Sequence, residues 1–231
     1  MSLSLISILG VASLALRQQP AFDAHLLART TDSMGIAVVR EGSSQTVGEL
    51  WDELKDTTIH GVAALRRVYR TVNQLFGPHT ETTFVRLADL TLISRRTHSQ
   101  STSDSLVLTG DSVLGWRQTE QGTHAPVRRA RDPQVIEASF FDALIRAAPL
   151  SPEYAIAIRG FISPTDSIAT LRARVIGTEA IQQRNGTGTE TWQVDMDFAG
   201  LRSTLWIDKK TRALVRQVIR LTPSVEMLMR R

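Results

Sequence analysis

The chain of 231 residues has no cysteine. That excludes disulfides, thiol nucleophiles, Cys-ligated zinc or iron–sulfur centres, and a diacylglycerol anchor on cysteine. Its most apolar stretch, Leu3 to Leu16, falls short of the roughly 20 residues a membrane-spanning helix requires. Aromatic side chains make up only 6% of the chain. Glycine and proline, at 14 and 8 residues, are too few for a collagen-like or low-complexity chain. What is present suits one large domain, with 42% hydrophobic and 22% charged residues.

Lysine is also nearly absent, since 24 of the 27 basic residues are arginine. Little titrates between about pH 7 and 10 in such a chain, so a net charge of +4 gives an isoelectric point near 10.1. The excess is local. Residues 208–231 hold seven basic and two acidic side chains, leaving 20 basic against 21 acidic in residues 1–207. Nucleic-acid binding by a sheet needs exposed aromatics beside basic residues. In the last strands Trp192 and Phe198 alternate onto the face opposite the arginines, so nucleic acid is excluded as a partner. Lys209, Lys210, Arg230 and Arg231 form a basic end, suited to an anionic membrane surface.

The N-terminus reads as a signal peptide over residues 1–15, with the small-x-small site Ser13-Leu14-Ala15 followed by polar Arg17-Gln18-Gln19-Pro20. No basic residue precedes the apolar run. Export to the periplasm or medium is the resulting expectation, with a single β-rich domain over 21–231, of which 21–80 is the less clearly patterned part.

Short alternating segments rich in Val, Ile, Leu and Thr fill that domain, broken by Gly, Asn, Asp and Ser. They predict a mainly β (α+β) fold, a strongly curved antiparallel sheet or half-barrel. Predicted strands are 35–40, 47–54, 65–72, 82–87, 91–97, 105–108, 113–119, 154–161, 168–178, 189–198, 201–207 and 213–221. The stretch 61–76 also fits helical spacing, through Val62, Leu65, Val68, Tyr69 and Val72. One segment is read as an amphipathic helix, about 132–148, which the sheet is expected to wrap. Asp132-Pro133 would start it, and Ile136, Phe140, Phe141, Leu144, Ile145 and Ala148 recur at helical spacing up to Pro149.

Asn185-Gly186 is the strongest hairpin signal. A two-residue turn there sets Arg174 opposite Asp197 and Ile176 opposite Asp195. A second turn at Ala199-Gly200 sets Asp197 opposite Arg202 and Trp192 opposite Ile207. Both registers give one charged and one apolar face.

The run Trp192, Val194, Leu205, Trp206, Ile207, Asp208, Thr211, Leu214, Val215 and Arg216 has the form W-x-V-x(10)-L-W-I-D-x-x-T-x-x-L-V-R. It resembles the terminal hairpins of the lipoprotein-carrier-like proteins and of an uncharacterised family of exported bacterial proteins related to them in fold. Asp89-Leu90-Thr91-Leu92 and Ala148-Pro149-Leu150 resemble the latter family too. The resemblance implies a curved sheet around helices with an apolar concave face, which in the carriers receives lipid chains. It transfers no functional residue.

Catalytic signatures are sparse. Gly110-Asp111-Ser112-Val113-Leu114-Gly115 has one residue too many for a nucleophile elbow and reads as a turn. Gly186-Thr187-Gly188 lacks the third glycine of a dinucleotide fingerprint. Asp195 and Asp197 share a strand face and would suit a cation or an acid–base pair, but flanking Arg174 and Arg202 favour a ladder of ion pairs. The five histidines lack ligand spacing. No catalytic residue, metal site or cofactor is assigned.

The leading expectation is an exported non-enzymatic protein that binds a hydrophobic ligand, a lipid or an acylated partner. Trp192, Val194, Met196, Phe198, Leu205 and Ile207 would line its concave face. The alternative is a structural or interaction domain of the cell envelope whose apolar face is fully packed.

Overall fold

A computed structural model of the protein describes residues 22–118, 121–130, 132, 135–182, 186 and 188–231. The segment read as a signal peptide, and Asn185 of the first hairpin, lie outside the described residues. Alternating apolar and polar residues produce fifteen strands. The first half holds β1 (Thr31–Arg40), β2 (Ser43–Ile59), β3 (Val62–Asn73), β4 (Gly77–Arg86), β5 (Leu92–Ser99), β6 (Ser103–Thr109), β7 (Ser112–Gln118) and β8 (His124–Ala130). The second holds β9 (Val135–Glu137), β10 (Ala155–Ile162), β11 (Ser167–Gln182), β12 (Gly188–Phe198), β13 (Leu201–Asp208), β14 (Leu214–Thr222) and β15 (Val225–Arg230).

All fifteen belong to one curved, unclosed sheet, in the order β8 to β1, then β15 to β9. Two antiparallel meanders therefore join where the first strand meets the last, with Ile36 opposite Met229 and Val38 opposite Met227. The free edges are β8 and β9, and β9 pairs with β10 in parallel. The edges approach through side chains: Leu106, Val127 and Phe161 form a small apolar cluster with Val113 and Val135. Arg129 Nε donates to Asp166 Oδ1 at 2.6 Å across the same seam. Within the stretch 61–76, Val62–Asn73 is strand, not helix, paired on both sides by β2 and β4.

The segment expected as a helix over 132–148 is mostly something else. Val135–Glu137 is a strand, Ala138–Phe140 a 3-10 turn, and only Phe141–Arg146, α1, is α-helical. The β-branched pair Val135-Ile136 gains ladder hydrogen bonds beside Arg159 and Gly160. The helix is also not amphipathic. Phe141, Ala143, Leu144, Ile145 and Arg146 are all buried, leaving no solvent-facing stripe. Phe141 and Ile145 pack with Val194, Leu205 and Ile207, whereas Phe140 and Leu144 pack with Leu54, Leu65 and Val85.

The second expected hairpin register is present from Phe198↔Leu201 to Thr191↔Asp208, including Trp192↔Ile207 and Asp197↔Arg202. The first differs. Its ladder closes at Gln182↔Gly188 and shifts by one residue at a bulge between Val175 and Gly177. Arg174 therefore faces Asp195, and Asp197 faces Arg172. The bulge restores parity beyond it, so Ala173, Val175, Val194 and Met196 still share the buried face. Three strands lie outside the predicted set: β8, β9, which falls in the segment expected as helix, and β15, which holds Arg230 of the basic end.

Candidate functional site

Period two puts a charged residue among inward apolar ones on several strands. On β2, Asp52 lies between buried Leu50 and Leu54; on β3, Arg67 lies between Leu65 and half-buried Tyr69. Arg67 is held by two carboxylates. Its Nε donates to Asp52 Oδ1 at 2.7 Å, and Nη1 and Nη2 each donate to Asp142 at 2.7 Å. From α1, Arg146 Nη1 donates to Asp52 Oδ2 at 2.8 Å and Nε to the Arg212 carbonyl at 3.0 Å. Two arginines thus balance two aspartates. Burial pushes the Asp52 carboxyl up, but Arg67 and Arg146 outweigh it and hold it below its ordinary value.

A second cluster is not balanced. Arg95 on β5 faces Glu81, Asp104 and Glu137, at 2.9, 3.1 and 3.7 Å. Ser139 and Thr83 donate to Glu81 Oε1, and Ser163 donates to Asp104 Oδ2. Three carboxylates share one guanidinium, so one of them favours its protonated form. Burial, with Glu81 close by, pushes Glu137 up to about 7 against the pull of Arg95. Burial pushes Glu81 the same way, but Arg95 and Ser139 overcome it and keep Glu81 below its ordinary range. Glu137 is 7% exposed, and its Oε2 has no hydrogen-bond partner among the described residues. It faces a cavity of about 110 Å³ at the seam, beside Leu108, Val113 and Phe161.

Inside the sheet α1 fills one part and leaves another open. A cavity of about 670 Å³ lies between Ile36 of β1, Tyr69 and Thr71 of β3, His79 of β4, Ile219 of β14 and Met227 and Met229 of β15. Leu75 and Phe76, 51% and 63% exposed, stand at its rim. A second cavity of about 270 Å³ shares Tyr69, His79 and Ile219 with it and reaches Phe141, Met196 and Phe198. Arg67, Glu81 and Asp142 form its polar floor. Burial lowers the His79 pKa, opposed by Glu81, so the imidazole is neutral near pH 7.

Of the six residues expected to line a concave apolar face, Met196 and Phe198 border this space. Val194, Leu205 and Ile207 are fully buried against Phe141 and Ile145, and Trp192 packs at the margin of that cluster. At the basic end, Lys209 sits 4.7 Å over the Trp192 ring and 3.7 Å from Glu190, and Arg231 pairs with Asp32. Lys210 and Arg230 are exposed. Asp195 lies 3.8 Å from exposed Arg174 and accepts from Thr204, whereas Asp197, expected between Arg174 and Arg202, accepts from the Gly200 backbone N–H, so a single loose pair stands where a ladder was expected. Ser112 opens β7 just after the Gly110-Asp111 turn.

Sequence reasoning missed both ion clusters and most of the cavity wall. The signal for the clusters was a charged residue in an otherwise apolar register, as in Leu50-x-Asp52-x-Leu54. For the wall it was the alternation Val225-x-Met227-x-Met229 after Pro223-Ser224.

The family described as a protein of unknown function, DUF3108, matches residues 45–230. No curated protein matches the chain. Among solved structures, the chain is similar to a β-barrel-like protein from Brucella abortus, of the domain of unknown function DUF1849. The TM-score is 0.53 at 11% identity, covering 88% of this chain and 96% of that one. At that identity the likeness concerns the fold alone.

Proposed function

We propose that this chain, which belongs to the DUF3108 family, is an exported, non-enzymatic protein that holds a hydrophobic ligand inside its curved sheet. The ligand is a lipid or the acyl chain of a modified partner. One observation carries the reading: the 670 Å³ cavity, walled by Ile36, Ile219, Met227 and Met229 and rimmed by exposed Leu75 and Phe76. Interiors are close-packed, and a void of this size beside a fully packed core is the form a ligand site takes. Methionine side chains adapt to chains of varied shape. The resemblance of the terminal hairpins to lipoprotein carriers supports the same reading. The binding face is narrower than the sequence suggested, since Val194, Leu205 and Ile207 serve the packed part. The exposed cations Lys210 and Arg230 suit contact with an anionic membrane surface.

Native mass spectrometry of gently extracted protein tests the reading, together with binding of N-phenyl-1-naphthylamine. Stoichiometric bound lipid and a saturable fluorescence rise are expected. Ile219→Trp fills the space shared by both cavities and should weaken probe binding at least tenfold while thermal stability is kept. A clean apo mass under every extraction condition, with no probe binding, supports instead a packed structural domain of the cell envelope.

A further inference from the structure

We infer that the ligand of this cavity is an uncharged amphiphile, an apolar chain ending in a small hydroxylated head; the inference rests on the function proposed above. The cavity has two unlike walls. Ile36, Ile219, Met227 and Met229, continued by Met196 and Phe198, make an apolar side from β1, β12, β14 and β15. From the β3–β4 side, Thr71, His79 and the Asn73 amide NH2, with Gln100 just after β5, present hydroxyl, imidazole and amide groups. The Ser99 hydroxyl is taken by Thr102, and Asn73 Oδ1 by the Leu75 and Phe76 N–H groups. A ligand that matches both walls has an apolar body and hydrogen-bonding groups along or at one end of it.

Charge decides which head. Among the described residues, no lysine, arginine, aspartate or glutamate lines the larger cavity. In the smaller one the guanidinium among the described lining residues, Arg67, already makes four hydrogen bonds to Asp52 and Asp142. Arg95 behind it is outnumbered by Glu81, Asp104 and Glu137. An anionic head would enter this space without a free cation among the described lining residues to meet it, and with carboxylates on the floor of the smaller cavity. A cationic head fares little better. The oxygens of Glu81 are taken by Arg95, Ser139 and Thr83, and both oxygens of Asp142 by Arg67. An uncharged hydroxyl finds both donors and acceptors on the polar wall at no such cost.

Displacement of N-phenyl-1-naphthylamine from the full chain at pH 7.5 tests this with a matched set: monolaurin, laurate and dodecylammonium, each below its micellar concentration. Monolaurin is expected to displace the probe at a concentration at least tenfold lower than either ion. Thr71→Val, which keeps the shape and removes a hydroxyl, should cut that preference severalfold. Laurate or dodecylammonium displacing as well as monolaurin would overturn the inference and leave the cavity reading standing. So would probe binding that none of the three displaces. Failure of the probe itself to bind overturns the cavity reading, and the inference with it.

Discussion

Replacing Glu137 by glutamine should remove a specific slope from the pH dependence of stability. In the unfolded chain this carboxyl titrates near its ordinary 4.5; in the fold, burial and Glu81 push it to about 7. The folded state therefore binds more protons than the unfolded one between these values, and stability falls as pH rises through them. The loss between pH 5 and 8 is roughly 2 to 3 kcal/mol, almost complete by about pH 7.5. Other groups act differently. Asp52 and Glu81 have lowered values, so their contribution is present at neutral pH and is lost mainly below about pH 4.5. His79 is lowered as well and adds stability as pH climbs to about 6.5, against the Glu137 slope. Both effects are common to the two proteins. Urea unfolding of wild type and Glu137→Gln at pH 5, 6, 7 and 8 thus isolates Glu137 in the difference. The variant should be the more stable protein relative to wild type at pH 8 than at pH 5, by the amount above. Parallel curves would refute the assignment of the proton to Glu137. They would mean that Arg95 supports three ionised carboxylates.

Three further substitutions probe the packing. Arg67→Ala leaves Asp142 without its guanidinium and Asp52 with Arg146 alone, in a buried setting, and should cost roughly 3 to 5 kcal/mol by urea unfolding. A cost under about 1 kcal/mol would mean that water reaches these carboxylates. Gly48→Ala adds a Cβ that overlaps the Val72 carbonyl oxygen on the neighbouring strand, whereas the same change at Gly188 meets open space. The first should lower stability by roughly 1 to 3 kcal/mol, and the second should change it by less than about 0.5 kcal/mol.

The legible part of this fold was the part written in local pattern. Alternation located most strands, and Ala199-Gly200 specified a hairpin register that runs unbroken to Asp208. The Asn185-Gly186 register misled because the ladder already closes one residue away from a two-residue turn, at Gln182↔Gly188, and a bulge between Val175 and Gly177 shifts it by one more. The helix was over-extended for a related reason. Ile136 fits a helical period, but the open edge of β10 offered it and Val135 ladder hydrogen bonds. The helix ends at Arg146, two residues short of the expected limit at 148, so the C-terminal limit was nearer the mark than the start. The candidate site was less legible. Met196 and Phe198 were in view because they sit on a recognisable hairpin. Ile36, Tyr69 and Met229 come together only because the first and last strands pair, a contact between residues nearly 200 apart in sequence.

The two ion clusters explain how an open cavity coexists with a dense core. An apolar helix alone beside Ile219 and Met227 would gain by sliding to fill the space. Here α1 carries Asp142 and Arg146, tied to Arg67, Asp52 and the Arg212 carbonyl, while Ser139 just before it is tied to Glu81. A shift of one residue would break these bonds together and leave charges buried without partners, at several kcal/mol each. Charge-assisted bonds have narrow geometry, so they fix the helix where apolar contacts would let it move. The ion clusters are therefore better understood as position-setting than as net stabilisation. They hold Phe141 at the wall of the cavity and keep α1 out of it.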